Sequence, residues 1–388
     1  MFEPTAIEIN ELAYKRNLEV LQDLHGDNVV FSSVVKGNAY GHGIETFVPM
    51  AERCGVRHFS VFSADEAWRV SRCLQVPRPI MIMGMIDDNE LAWAIEKGVS
   101  FFVFEPDRLA QALKMAQRIG KPARVHIEVE TGMNRTGLTR RELERVASLL
   151  RTHKDILILD GFCSHLAGAE SIGNYLRISS QKKRYKRALQ WLDGQGIEPL
   201  SRHLACSAAM IRYPETMLDM VRIGILQYGF WPSPEIFIEY CRRKKVNQDP
   251  LHRLIRWKSR VMDIKTIKTG EYIGYGTSYL ATGPMKVASV PVGYAHGFSR
   301  GLSNHGRVLI HGERTQVVGM VNMNMMMVDV TRIDGVGKGD EVVLIGRQGE
   351  AEVSVASFSE FSNQLNYELL TRLSESISRT VVTKSIKS

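Results

Sequence analysis

Cysteine is scarce in this chain, with five in 388 residues: Cys54, Cys73, Cys163, Cys206 and Cys241. Their number is odd and no two stand in CxxC spacing, which argues against a disulfide framework or a zinc site and for a reducing compartment. Long apolar runs are also missing, and none approaches the ~18 residues of a membrane span. The first segment, MFEPTAIEINELAYKRN, lacks the basic start and apolar centre of a signal peptide, so no membrane partner and a cytoplasmic location are expected. Neither GxGxxG nor GxxxxGK(S/T) occurs, which removes the usual nucleotide-binding readings. Asp and Glu number 42 against 50 Lys and Arg, a formal charge of +8. The densest basic run, CRRKKVNQ at 241–248, is short and has no aromatic interleaving. A solvated linker accounts for it better than a phosphate-binding arm, and no nucleic-acid partner is expected.

What the chain does contain is a rhythm. From about residue 28 to 230, β-rich runs (VVFSSVVK, HFSVF, PIMIMG, SFFVF, RVHIEVE, LILDGFCSH, SRHLACS, MVRIGI) alternate with amphipathic helical stretches such as NELAWAIEKG and DRLAQALKMAQRIG. About eight alternations in roughly 200 residues fit a (β/α)8 barrel better than an open doubly wound sheet. After the basic run the segments turn strand-like and are separated by glycine-containing turns, as in MKVASVPVGYAHG and RVLIHGERTQVVGMV, closing with a helical FSEFSNQLNYELLTRL. The expected organisation is a barrel domain over 1–242 and a β-strand-rich domain over 243–388.

In such a barrel the chemistry gathers at the C-terminal ends of the strands. Lys36 ends the first expected strand, Arg135 follows the fifth, His165 ends the sixth, Ser207 follows the seventh and Arg222 lies in the eighth. Each alone has a bland explanation as a cap, a satisfied core group or a surface residue. Together they suggest a lysine made reactive by its site, able to form a Schiff base with a phosphorylated aldehyde. Backbone N–H groups around Gly224 and Ile225 could cradle its phosphate. An arginine beside a pyridine nitrogen must donate, because arginine does not deprotonate in proteins. That would leave the nitrogen unprotonated and favour simple proton removal and return over stabilised carbanions.

These residues sit in motifs that resemble the alanine racemases, a family of fold-type III pyridoxal-phosphate enzymes. VVKGNAYGHG resembles the family's cofactor-lysine motif. ETGMNRTG, SHLAGAE, HLACSAA, MVRIGILQYG, IGYGTSY, VPVGYAHG, VGMVNMN and LNYELLTRL follow in order over nearly the whole chain. The resemblance implies pyridoxal 5'-phosphate bound through Lys36, which also acts as one base. It implies that Tyr275 is the second base, supplied by the partner subunit of a homodimer. Tyr40, Ser207, Gly224, Ile225 and Tyr367 would hold the phosphate, Arg222 would face the pyridine nitrogen, and His165 would link Arg222 to Tyr275. Arg135 and the backbone N–H of Met323 would bind the substrate carboxylate, and Tyr294 would line the entrance. Interconversion of L- and D-alanine, supplying a peptidoglycan precursor, is the implied activity.

Several positions depart from the family pattern. Glu128 stands where a lysine, often carbamylated, is usual, so a carboxylate takes the place of a carbamate as the anion beside Arg135. GYADG becomes GYAHG through His296, CMD becomes NMN through Asn322 and Asn324, and the arginine two residues before the cysteine is Met320. These changes remove charge around the second base and the entrance corridor, which keeps open a broad-specificity racemase accepting larger or basic side chains. A fold-type III decarboxylase is a further alternative, but it profits from a protonated pyridine and calls for an acid where Arg222 stands. A pyridoxal-phosphate carrier would be a lone barrel without Tyr275.

Overall fold

The computed structural model describes residues 4–358 and 366–383. A first strand, β1 (Ala6–Asn10), leads into a helix over Glu11–His25. Eight strands then follow in order: β2 (Val30–Val34), β3 (His58–Val61), β4 (Ile80–Ile82), β5 (Ser100–Val103), β6 (Ala123–Glu128), β7 (Leu157–Cys163), β8 (Ser201–His203) and β9 (Met220–Ile223). All their pairings are parallel, in the order β8-β7-β6-β5-β4-β3-β2-β9. The remaining seam between β8 and β9 is bridged at Cys206 and Arg222, and Asp219 N–H donates to Arg202 O at 3.0 Å. The eight β-rich runs read from the sequence are these eight strands, and the barrel is the expected (β/α)8 type.

Local chemistry explains the intervening helices. Asp87 caps Asp88–Lys97 in a reciprocal capping box with Glu90, and Gly98 ends it in the left-handed conformation. Pro106 opens the next helix at its first position, where a missing N–H costs nothing, and Gly120 closes it.

The strand-rich part holds β10 (Ile255–Arg260), β11 (Asp263–Ile267), β12 (Met285–Val290), β13 (Arg307–Ile310), β14 (Glu313–Gln316), β15 (Met326–Asp329), β16 (Glu341–Gln348), β17 (Ala351–Val353) and β18 (Ser378–Val382). One sheet runs β14-β13-β16-β10-β1-β18 with β17 on β16, and a second runs β11-β12-β15. Trp257 is fully buried in this unit and its indole N–H donates to Thr5 Oγ1 at 2.8 Å. Of the expected last helix, residues 359–365 lie outside the described residues, and Asn366–Thr371 is helical.

The contacts divide the chain into two units that a single cut at 242/243 does not reproduce. One comprises Met1–Glu11, Gly37–Phe47 and Leu254–Ser388, the other Leu12–Lys36 and Val48–Arg253. The N-terminal strand therefore belongs to the β-rich unit, because its partners are β10 and β18.

Buried histidines make stability sensitive to acid. Burial lowers the pKa of His42 and of His58 to about 4 from 6.5. The unfolded chain takes up these protons below about pH 6.5, whereas the native chain resists until about pH 4, so stability falls as pH drops through that window. At pH 5 each such histidine costs roughly 2 kcal/mol relative to pH 7. Urea unfolding at the two pH values should register this loss, and His58→Gln should reduce it. An unchanged difference in His58→Gln would remove His58 from the account.

Candidate active site

The sequence-predicted residues of the barrel unit all lie at one end of it. Lys36 comes two residues after β2, Glu128 is the last residue of β6, and Arg135 lies in the loop beyond. His165 comes two residues after β7, Ser207 opens the short helix after β8, and Arg222 lies in β9. Parallel strands in a barrel put every one of these positions at the C-terminal face.

Lys36 is solvent-accessible, yet the protein mass around it and the neighbouring Arg135 lower its pKa, with Glu66 opposing and Arg222 adding to the effect. A lysine so placed is more often neutral near pH 8 than a free one, as a base or a nucleophile requires. His165 is driven to about 3 by burial and by the positive charges of Arg222, Arg135 and Lys36, so its imidazole is neutral. Glu128 is buried, and burial raises its pKa against a hydrogen bond from Thr136 and the charges of Arg222 and Arg135.

Arg222 is the best anchored of the set. One Nη reaches His203 Nδ1 at 2.7 Å, and the other donates to the carbonyls of Ser164 at 2.7 Å and Leu204 at 3.3 Å. The residue is 5 % exposed. Its imidazole partner is His203, a residue that sequence reasoning passed over inside HLACSAA. His165 lies in the same electrostatic cluster but is not hydrogen-bonded to Arg222 in this structure.

Two backbone devices shape the surroundings. Gly224 N–H donates to Ser207 Oγ at 3.0 Å, tying the turn that leads from β9 to Ile225 to the start of the helix after β8. The Glu130 carboxylate accepts from Met133 N–H at 2.8 Å and Asn134 N–H at 2.9 Å, and also from Gly132 N–H, which folds the loop presenting Arg135.

In the β-rich unit, Gly37, Asn38, Ala39 and Tyr40 form a left-handed turn directly after Lys36, with φ of 62°, 53°, 53° and 51°. For residues other than glycine this costs roughly 1–2 kcal/mol each. Asn38 Oδ1 offsets part of it by accepting from Ile44 N–H at 2.9 Å. Gly41 must be glycine, since a Cβ there would lie 1.8 Å from Leu370 O. Tyr40 and Tyr367 stand with ring centroids 6.2 Å apart. Tyr275 is 73 % exposed on a turn between Gly274 and Gly276, both at positive φ. Tyr294 N–H donates to Asn322 O at 3.0 Å and Ala295 N–H to Met323 O at 2.9 Å, which puts Tyr294 beside Met323.

The departures also have structural substitutes. His296 Nδ1 accepts from Gly293 N–H at 3.2 Å, a role a carboxylate could fill. The guanidinium of Arg300 reaches Met320 Sδ at 3.9 Å, so a positive charge stands beside the position where the pattern has an arginine.

A parallel barrel with a lysine of lowered pKa at its first strand end, an arginine in its last strand and an accompanying strand-rich unit fits the fold-type III pyridoxal-phosphate enzymes that the sequence motifs resemble. Profiles of the alanine racemase N-terminal and C-terminal domains match residues 9–232 and 254–381. The chain belongs to the alanine racemase family, whose members are isomerases with pyridoxal 5'-phosphate as cofactor. An alanine racemase of Leptospira interrogans is 33 % identical over 97 % of this chain and 95 % of its own length. One from Desulforamulus reducens is 36 % identical over 95 % and 96 %. The alanine racemase of Bacillus anthracis, solved with bound L-Ala-P, superposes with a TM-score of 0.89 at 30 % identity, covering 98 % and 96 % of the two chains.

The residues present fit the cofactor. Lys36 is open for a Schiff base, Arg135 and Arg222 supply positive charge toward an anion, and Arg222 keeps N–H groups beyond those its three contacts use.

Proposed function

We propose that the chain racemises alanine by a two-base mechanism, with Lys36 serving one face of the substrate Cα and Tyr275 of a second copy serving the other. The observation that carries this reading is the barrel-end cluster, in which a lysine of lowered pKa shares its surroundings with an arginine that can only donate. Racemisation needs a base on each face, because a single base returning its proton keeps the configuration. Bound pyridoxal phosphate supplies an electron-withdrawing ring that acidifies the Cα–H. Lys36 Nζ takes that proton from one side and the Tyr275 phenol returns one from the other; the reverse order serves the opposite direction. One turnover leaves Lys36 Nζ with one proton more and the Tyr275 phenol with one fewer, so the total is conserved, and a proton passed back through solvent resets the pair.

The remaining residues bind and orient. Ser207, Gly224 N–H, Ile225 N–H, Tyr40 and Tyr367 would hold the phosphate, with Gly224 N–H shared with or released from Ser207 Oγ. Arg222 would donate to the ring nitrogen, and neutral His165, which makes no hydrogen bond to Arg222 in the single chain, would link Arg222 with Tyr275 once the dimer assembles. Arg135 and Met323 N–H take the substrate carboxylate, and Tyr294 narrows the entrance. The barrel domain thus carries the cofactor, and the β-domain carries the second base. A homodimer in the cytoplasm, making D-alanine for peptidoglycan, follows from this reading.

Glu128 orients Arg135 as an unmodified carboxylate. Glu128→Gln removes the charge that acts on Arg135 and is therefore expected to raise the KM for alanine roughly fivefold, the scale of about 1 kcal/mol for an ion pair without a direct hydrogen bond, with a smaller effect on kcat. An unchanged KM would remove Glu128 from carboxylate binding.

The deciding experiment is proton NMR in deuterium oxide, with enzyme, pyridoxal phosphate and single L-amino acids, paired with chiral analysis. Loss of the Cα–H signal with appearance of the D-enantiomer supports racemisation, and an amine product would overturn the role given to Arg222. The replacements at Met320, Asn322, Asn324 and His296 favour a second reading, a wider substrate range. Comparable rates for alanine and larger or basic side chains would establish it.

A further inference from the structure

We propose that His126 and Ser100 are positioning residues that, acting through His203, hold Arg222 as a fixed donor toward the ring nitrogen of the cofactor. The inference rests on the role proposed above for Arg222. Its starting point is that a guanidinium can only donate. Arg222 Nη1 lies 2.7 Å from His203 Nδ1, so that nitrogen carries no proton. Burial and the charge of Arg222 hold His203 neutral, which leaves its single proton on Nε2. His203 Nε2 is 2.9 Å from His126 Nδ1, which must then accept. Neutral His126 carries its own proton on Nε2, 3.2 Å from Ser100 Oγ, and the Ser100 hydroxyl donates to Ile80 O at 3.2 Å. Every N–H and O–H points away from Arg222. One unambiguous donor fixes two tautomers, and hydrogen bonds aligned head to tail polarise and strengthen one another.

The surrounding barrel is shaped to this relay. A register shift between Val125 and His126 brings Gly161 opposite His126. A Cβ at Gly161 would fall 2.1 Å from His126 Nδ1 and 2.8 Å from His203 Nε2, so the strand omits a side chain beside the bond between the rings. Phe102 walls the other side, with its ring 6.0 Å from each imidazole and 5.9 Å from the Arg222 guanidinium carbon. His203 is 0 % exposed and His126 is 2 % exposed. Branched apolar residues usually fill such a barrel interior, and buried polar groups persist only when paired. Here the pairing ends on Arg222, the arginine in the last strand of the barrel.

The first test is long-range proton–nitrogen NMR of the histidine-labelled cofactor-free protein. Both imidazoles are expected to be neutral Nε2–H tautomers from about pH 5 to 8, the window in which an ordinary histidine titrates. A proton on His203 Nδ1, or a charged ring at either position, overturns the relay. Next, His126→Phe keeps the ring and removes both hydrogen bonds. It should lower kcat for alanine about tenfold, as loss of an outer orienting partner commonly does, with less than a twofold change in KM. His126→Gln, whose amide can both accept and donate, should recover most of that loss. Gly161→Ala, which separates the rings while leaving all relay side chains in place, should reproduce the His126→Phe effect. Unchanged kcat in both His126→Phe and Gly161→Ala would overturn the positioning role. If His126→Phe fails to fold, the wild-type tautomers and His126→Gln decide. A wild-type protein with the expected tautomers but no racemase activity would defeat the functional reading and leave the relay standing.

Discussion

Lys36→Ala and Lys36→Arg are expected to lose alanine racemisation by at least roughly three orders of magnitude, the scale at which removal of a covalent-catalysis residue acts. Two functions vanish together, since Lys36 is assigned both the covalent link to the cofactor and one of the two bases. Arginine cannot restore either one. Its guanidinium does not deprotonate, so it neither condenses with an aldehyde nor accepts a proton at working pH. The fold should survive both changes. Lys36 is solvent-accessible, and substitutions at such positions usually fall within about 0.5 kcal/mol of neutral. Borohydride reduction of the holoenzyme followed by mass spectrometry separates the two functions. The wild-type chain should gain the mass of the reduced cofactor on the peptide containing Lys36, and neither variant should gain it there. Labelling of a different lysine, or turnover retained in Lys36→Ala, would displace Lys36 from the site.

How much of this could be read from the chain varied with the range of the interaction. The barrel was legible because each strand carries its own signal. Runs such as SFFV over β5 are apolar and β-rich, and β3, β4 and β5 are each followed within a few residues by a helix with a side-chain cap of its own. Strand β1 was not legible. AIEIN is five residues long, and its partners Ile255–Arg260 and Ser378–Val382 lie more than two hundred residues away, so nothing local separates it from the helix it precedes. The division of the chain into interleaved units was hidden for the same reason.

In the site, Lys36, His165, Ser207 and Arg222 stood out as polar residues at strand ends. His126 and His203 did not, because an isolated histidine in a strand looks like a satisfied core residue until its partner, 77 positions away, is known. The Glu130 carboxylate, which folds the Arg135 loop, likewise carries nothing local in the sequence that separates it from a surface charge. Tyr275 was the least legible of all. Without its family motif it matches any tyrosine of a β-domain core, and only its 73 % exposure separates it from one.

That exposure underlies the second large effect. Tyr275 stands exposed on its turn, and Tyr272, Tyr294 and Met323 of the same unit are also more than two-fifths exposed, at 53 %, 43 % and 56 %. A phenol in open water has no substrate Cα within reach. A second copy placed over this surface would bring one there, and in a two-fold dimer each chain gives and receives the same contribution. Lys36→Ala and Tyr275→Phe homodimers should therefore each be nearly inactive. When the two variants are mixed and allowed to exchange, half the dimers are hybrids. One of the two sites in each hybrid combines the intact Lys36 of one chain with the intact Tyr275 of the other. Random exchange thus restores about a quarter of wild-type activity, a value fixed by two-fold symmetry rather than by the strength of any contact. A site contained within one chain behaves differently, because every site in the mixture then lacks one base and activity stays at the level of the separate variants. Native mass spectrometry of the mixture establishes whether exchange occurred. Hybrids present without recovered activity would place Tyr275 in the same chain's site or outside the chemistry altogether.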